Sequence, residues 1–235
     1  MTAITQLASR TWEYPDATGT ALLLPGFLDG RSDPGIVALG DGLQAAGLSA
    51  VAVDPRGSGA SPGTPADLGP TTQLEDIATL VRAAERMVLI GHCYGALLAC
   101  LAAVQDPRVT DVVALMPSRC FIWPDPYDPS LDTWRGAGEH VFTRDGRRYR
   151  VPYSVVEDAL RYDLPTALTH LRQRILFVAG EQDQLIGVGP VRELHAACGS
   201  TDKRLAVLPV QHDFREIPAH VDLVVSTVLG WITAG

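Results

Sequence analysis

Gly91-His92-Cys93-Tyr94-Gly95 sets a thiol between two glycines, directly after the apolar run Met87–Ile90 and directly before an apolar helical stretch. A strand-to-helix turn of this kind is strained and lifts its central side chain above the sheet. The strand and helix backbones pass close together there, and Gly91 and Gly95 supply the small flanks this requires. The thiolate is the form of cysteine that attacks carbon, and a helix N-terminus favours it. A buried cysteine elsewhere is commonly inert. Cys100, Cys120 and Cys198 have no such context and read as structural. His92 reads as packing, because neighbours on a turn point in different directions.

The elements that must hold this turn follow from the apolar pattern. Short runs at Thr20–Leu24, Ser49–Val53, Met87–Ile90, Val109–Leu115, Arg174–Ala179 and Arg204–Leu208 are rich in Val, Leu and Ile, as strands buried on both faces are. Helical patterns near Gly35–Ala46, Thr72–Ala84, Tyr94–Val104, Val188–Ala197 and Val221–Trp231 alternate with them. This rhythm predicts an α/β domain with a mostly parallel sheet flanked by helices. No repeat and no linker divides it. Residues 118–169 break the rhythm. Val141–Arg144 and Arg147–Val151 flank Asp145-Gly146, a strong hairpin signal, and a helix around Tyr153–Tyr162 follows. An insertion after the run ending near Leu115 sits above the C-terminal edge of the sheet, where ligands bind in open α/β sheets. The expected division is therefore a core of residues 1–117 and 170–235, with residues 118–169 as a lid.

With these motifs in place the chain resembles the α/β-hydrolase family over nearly its whole length. The G-x-C-x-G turn matches that family's elbow. Leu22-Leu23-Leu24-Pro25-Gly26-Phe27 looks like its first conserved turn, with Pro25 where a histidine is more usual. Asp54-Pro55-Arg56-Gly57-Ser58-Gly59-Ala60-Ser61 matches its D-x-R-G-x-G-x-S turn. Asp183 follows the run Ile175–Ala179, where the family has its acid, and His212 follows the last strand, where it has its histidine. The order of nucleophile, acid and histidine is the family's. The resemblance implies an α/β-hydrolase fold with a small lid inserted after the sixth strand position.

It also implies roles. Cys93 is the expected nucleophile, His212 its base and later the acid for a leaving group, and Asp183 the group that orients His212. Asp158 and Asp163 remain alternative carboxylates. The backbone N–H groups of Phe27 and Tyr94 form the expected oxyanion hole, which does not depend on the residue at position 25. A thiolate suits attack on an ester, a thioester or an acylated small metabolite through an acyl-Cys93 intermediate. Members of this fold also expel acetate from acetylated tetronates during polyketide maturation, so elimination with His212 as base is the alternative. A non-catalytic ligand-binding protein is a third reading, against which the retained Asp183 and His212 weigh.

Eight of the fifteen aromatic residues fall between Phe121 and Tyr162. Trp123, Tyr127, Trp134 and Tyr153 are taken as substrate-binding, although a small lid also needs a core of its own. Arg144, Arg147, Arg148 and Arg150 beside the hairpin turn read as a solvated face, with attraction of a carrier-protein phosphopantetheine as the sharper alternative. His140 reads as an exposed loop residue. A net charge of −8 excludes a basic nucleic-acid-binding face. No apolar run approaches the roughly 18 residues of a membrane span. The N-terminus lacks the pattern of a secretory signal, so a cytoplasmic location is expected, with reduced cysteines. No cofactor or metal signature is present.

Overall fold

The computed structural model describes residues 7–17, 19–120 and 130–234. Strands β1 (Ser9–Trp12), β2 (Thr20–Leu24), β3 (Ser49–Val53), β4 (Met87–His92), β5 (Val109–Leu115), β8 (Arg174–Gly180) and β9 (Lys203–Leu208) form one sheet in the order β1-β3-β2-β4-β5-β8-β9. Every neighbouring pair is parallel except β1 against β3. The six runs expected from the sequence are the six parallel strands. The edge strand β1 was not expected. Three of its four residues are exposed and only Trp12 is buried, so it shows no apolar run.

Successive residues of the parallel strands enter opposite faces, as the two-residue period of a strand requires. Leu22, Leu24, Leu89, Val112 and Phe177 join one apolar cluster, and Leu23, Val88, Ile90, Val113 and Val178 join the other. Helices α1 (Pro34–Ala45) and α8 (Pro218–Ile232) cover the second face. Asp33 starts α1 by accepting from the N–H groups of Gly35 and Ile36, with Pro34 in the first turn. Helices α2 (Pro70–Val81), α3 (Tyr94–Gln105) and α7 (Val188–Ala197) cover the first face. Residues 94–103 of α3 are all buried, as expected of a helix that is apolar all round.

Between β5 and β8 the chain forms α4 (Leu131–Ala137), the antiparallel hairpin β6 (Glu139–Arg144) and β7 (Arg147–Pro152), α5 (Ser154–Ala159) and α6 (Leu164–Leu168). The hairpin and α5 were expected, while α4 and α6 are too short to leave a periodic signal. Among the described residues five strands precede the insertion, which leaves the sheet after β5 as the run ending near Leu115 predicted. Asp158 on α5 accepts from the Thr71 backbone N–H at 2.8 Å and from its hydroxyl at 2.5 Å. The insertion thereby supplies the cap for α2, whose preceding Gly69 has no side chain to do so. Asp163 caps α6 through Thr166. Neither carboxylate is therefore available as the partner of His212.

Candidate active site

Cys93 has φ 53° and ψ −114°, between the end of β4 and the start of α3. A non-glycine residue held at positive φ stores backbone strain, which persists only where surroundings over-determine it. Here they do. The Cys93 N–H donates to Leu115 O at 2.9 Å, and its carbonyl accepts from Ala96 and Leu97 in α3. The Ser118 N–H and hydroxyl also reach that carbonyl, at 3.3 and 3.4 Å. A side chain on Gly91 would meet the backbone of Gly95, and one on Gly95 would meet the carbonyl oxygens of Leu24 and Pro25. Both glycines are thus required by close approach.

The ends of β8 and β9 bring the two partners. The Glu181 and Gln182 N–H groups donate to Leu208 O and Val210 O, so the loops after the two strands are laced together. Gly180 is required because a Cβ would strike Val210 O. Asp183 is 6% exposed; one oxygen accepts from the Leu185 and Ile186 N–H groups and the other from His212 Nδ1 at 2.8 Å. That bond fixes Nδ1 as a donor and leaves Nε2 free of Asp183, and Cys93 is close enough to act on the same ring.

Burial opposes the imidazolium, yet the hydrogen bonds to Asp183 and Cys93 outweigh it and raise the His212 pKa to about 10. Burial also opposes the Asp183 carboxylate, but the bond to His212 and the two backbone N–H groups hold its pKa below the ordinary value. The arrangement is a buried carboxylate bonded to a histidine that is favoured in its protonated form, with the Cys93 sulfur acting on the same ring.

Tyr94 is the first residue of α3 and Phe27 lies in the turn after β2. Their rings meet edge to face with centroids 6.0 Å apart. That turn is closed by the Asp29 N–H on Gly26 O at 3.1 Å and has Leu28 at φ 62°. Phe27 continues into an aromatic row through Phe142 (5.4 Å) to Trp134 (5.4 Å) and Tyr153 (6.3 Å). Trp134 is 4% exposed and its indole N–H donates to Val151 O, so it holds the insertion's own core. The Tyr153 hydroxyl is buried without a hydrogen-bond partner. Trp123 and Tyr127 lie outside the described residues. His140 is half-buried against Phe142 at 4.6 Å rather than exposed in a loop, because β6 places it there.

Sequence reasoning missed several residues around the site. The His92 Nε2 donates to the His212 backbone carbonyl at 3.1 Å, so His92 holds the histidine loop and does not merely fill space. Burial lowers the His92 pKa to about 4, with repulsion from His212 adding to it. Of the hairpin arginines, Arg147, Arg148 and Arg150 are exposed, as expected of a solvated face, and Arg144 alone is half-buried. Arg144 pairs with Asp29, Arg147 donates to Gly59 O and Arg150 pairs with Glu139. Cys120 is exposed, whereas Cys100 and Cys198 are buried. His92 sits inside the recognised motif, but Asp29 and Arg215 have no sequence signal beyond being charged.

The alpha/beta hydrolase family model matches residues 21–230, and the chain belongs to that family of enzymes. Among proteins of known function it is 38% identical to the thiohydrolase apmlB of Arthrinium phaeospermum over 96 residues, which are 37% of this chain and 30% of that protein. The match therefore spans under a third of the relative's length. Among solved structures, Est1E of Butyrivibrio proteoclasticus, determined with ferulic acid bound, superposes with a TM-score of 0.80 at 18% identity, covering 97% of this chain and 94% of that one. The monoacylglycerol lipase of Paleococcus ferrophilus gives 0.81 at 19% identity, covering 97% and 98%. At such identities the likeness is one of fold. No helix among the described residues is long and apolar enough to cross a membrane.

Proposed function

We propose that this enzyme is a cysteine-dependent hydrolase of an ester, thioester or acylated small metabolite, working through an acyl-Cys93 intermediate. The observation that carries the reading is the 2.8 Å bond between Asp183 and His212, with Cys93 on a strained elbow close enough to act on the His212 ring. The Cys93 thiolate adds to the substrate carbonyl, and the resulting oxyanion takes hydrogen bonds from the Phe27 and Tyr94 N–H groups. Each such donor contributes on the order of 3 kcal/mol. The carbonyl re-forms, the bond to the leaving group breaks, and His212 gives that group its proton. Neutral His212 then takes a proton from water, whose oxygen attacks the acyl-thioester and releases the acid and Cys93. Asp183 stays ionised and stabilises the imidazolium both at the start of the cycle and when it re-forms on the attack of water.

Residues 118–169 serve as a lid in this reading. The buried, unpartnered Tyr153 hydroxyl is the polar group by which it contacts substrate. The name thiohydrolase borne by the relative from Arthrinium phaeospermum favours a thioester within the substrate class. Elimination with His212 as base lacks comparable support.

Intact-mass measurement of wild type and Cys93→Ala after incubation with acyl thioesters and O-acetylated lactones tests the proposal, with small-molecule products followed in parallel. An acyl adduct in wild type, absent from Cys93→Ala and accompanied by free acid, is expected. An unsaturated product with acetate release and no adduct would transfer the assignment to elimination.

A further inference from the structure

Close to the three residues just described lies a cluster of charges that the reaction scheme does not use. Asp29 ends the tight turn that carries Phe27, and its carboxylate is shared between two arginines from distant parts of the chain. Arg215 follows His212 by three positions. It reaches Asp29 at 3.0 Å, pairs with Asp33 at the start of α1, and reaches Asp213 at 3.0 Å. Arg144, the last residue of β6, reaches Asp29 from the inserted hairpin. The Asp29 side chain is only 9% exposed and that of Arg215 13%. Pairs this well shielded from water are held much more firmly than surface ion pairs, and removing one member leaves the other buried and unmatched. The Arg144 Nε is buried without any partner, so that guanidinium is held through Asp29 on one edge only.

We propose that Asp29 is a positioning residue for the reaction: gripped by Arg215 and Arg144, it locks the turn carrying the Phe27 N–H, the His212 loop and the inserted hairpin into one register. The proposal rests on the reading of Phe27 and His212 given above. Two braces then hold the histidine loop, one from His92 to the His212 carbonyl and one from Asp29 to Arg215. Arg144 adds the hairpin to the same carboxylate, so the seating of the insertion and the alignment of donor and base become one event. Misplacement of a reacting group by about 1 Å can cost on the order of a hundredfold in rate, so a fixed register is worth its own residue.

The charged and titratable groups around His212 form two shells. Asp183 after β8, His92 at the end of β4 and the neighbouring Asp213 act on His212 itself, while Asp29 before α1 acts on His92 and Asp213, Arg144 from the hairpin and Glu216 act on Asp213, and Arg215 pairs with Asp29, Asp33 and Asp213. Among these, Asp29 links the hairpin to the other two segments.

The test uses the full chain with two probes, iodoacetamide and p-nitrophenyl acetate. The rate of Cys93 alkylation is followed by peptide mass, which separates it from the exposed Cys120, and acetate ester turnover is measured in parallel. Variants are Asp29→Asn, Arg144→Met, Arg144→Lys and the double change Asp29→Asn with Arg144→Met. For Asp29→Asn the rate of Cys93 alkylation at neutral pH is expected to fall, with kcat reduced about ten- to hundredfold and KM changed by less than about threefold. Arg144→Met gives a smaller loss of the same kind, Arg144→Lys restores most of it, and the double variant matches Asp29→Asn alone, as members of one unit do.

An Asp29→Asn protein that keeps the wild-type alkylation rate and kcat overturns the proposal, even if it melts at a lower temperature. Independent, multiplying effects of the two sites overturn it as well. Failure of the acyl-enzyme reading shows itself separately, as the absence of an acetyl-Cys93 adduct in wild type. The alkylation rates still decide the role of Asp29 in that case.

Discussion

A methyl group at position 95 would run into the carbonyl oxygens of Leu24 and Pro25, whereas one at position 230 would meet nothing within 4 Å. The two glycines therefore answer the same substitution in opposite ways. Gly95→Ala has to push the elbow off the turn after β2 and is expected to destabilise by about 1–3 kcal/mol. Gly230→Ala, in the body of α8, is expected to stabilise by about 0.5–1 kcal/mol by removing freedom from the unfolded chain. Urea unfolding midpoints measure both, and a destabilised Gly230→Ala would contradict the open surroundings of that position. Cys93, Asp183 and His212 were legible in the sequence because strand-to-helix and strand-to-loop junctions frame them in short local patterns. Asp29 was not. Its partner Arg144 lies 115 residues away, and nothing local to either residue announces the contact. His92 was seen and misjudged, because its partner is a backbone carbonyl 120 residues on, which carries no side-chain signature at all.

At the scale of elements, the insertion is fastened at more than its ends. Asp158 caps α2 and shares Thr71 with the Tyr162 hydroxyl, which lies 2.7 Å from the threonine oxygen. The Tyr94 hydroxyl donates to Leu68 O at 3.0 Å just ahead of the same helix. Asp158→Ala removes a cap and is expected to cost about 0.5–2 kcal/mol. Hydrogen exchange should speed up both in the first turn of α2 and in α5, since the cap joins them. Faster exchange in α2 alone would mean that the contact serves the helix but does not fasten the insertion. The long apolar strands and the helices between them could be read in the sequence because burial on both faces leaves continuous apolar runs. The strand β1 and helices α4 and α6 could not. They have four, seven and five residues, and neighbours in the fold, more than their own composition, stabilise them.

For the whole molecule, two buried histidines with opposite shifts set the flanks of stability against pH. An unfolded histidine titrates near 6.5. His92, lowered to about 4 mainly by burial, stays neutral in the folded protein while the unfolded chain takes up a proton. Its contribution is complete above about pH 6.5 and is lost as pH falls toward about 4. His212, raised to about 10, does the reverse: its contribution is complete below about pH 6.5 and is lost as pH rises through about 10. Thermal melts across this range should therefore show His92→Gln flattening the acid limb and His212→Gln flattening the alkaline limb. Unchanged limbs in both variants would mean that carboxylates and other groups govern the profile.

Ser118 lies at the point where the chain leaves the sheet for the insertion, and it belongs to the elbow, since its N–H and hydroxyl both point at the Cys93 carbonyl. At the other end, Leu164 and Leu168 of α6 are buried in the apolar cluster that also contains α3. For anyone building chimaeras, the transplantable cassette is therefore shorter than the whole excursion from the sheet. Its seams belong after Ser118 and before Leu164, so that the recipient keeps its own elbow carbonyl partner and its own packing on α3. A donor cassette would also need a cation where Arg144 stands and a carboxylate where Asp158 stands, or it would arrive with neither of its fasteners.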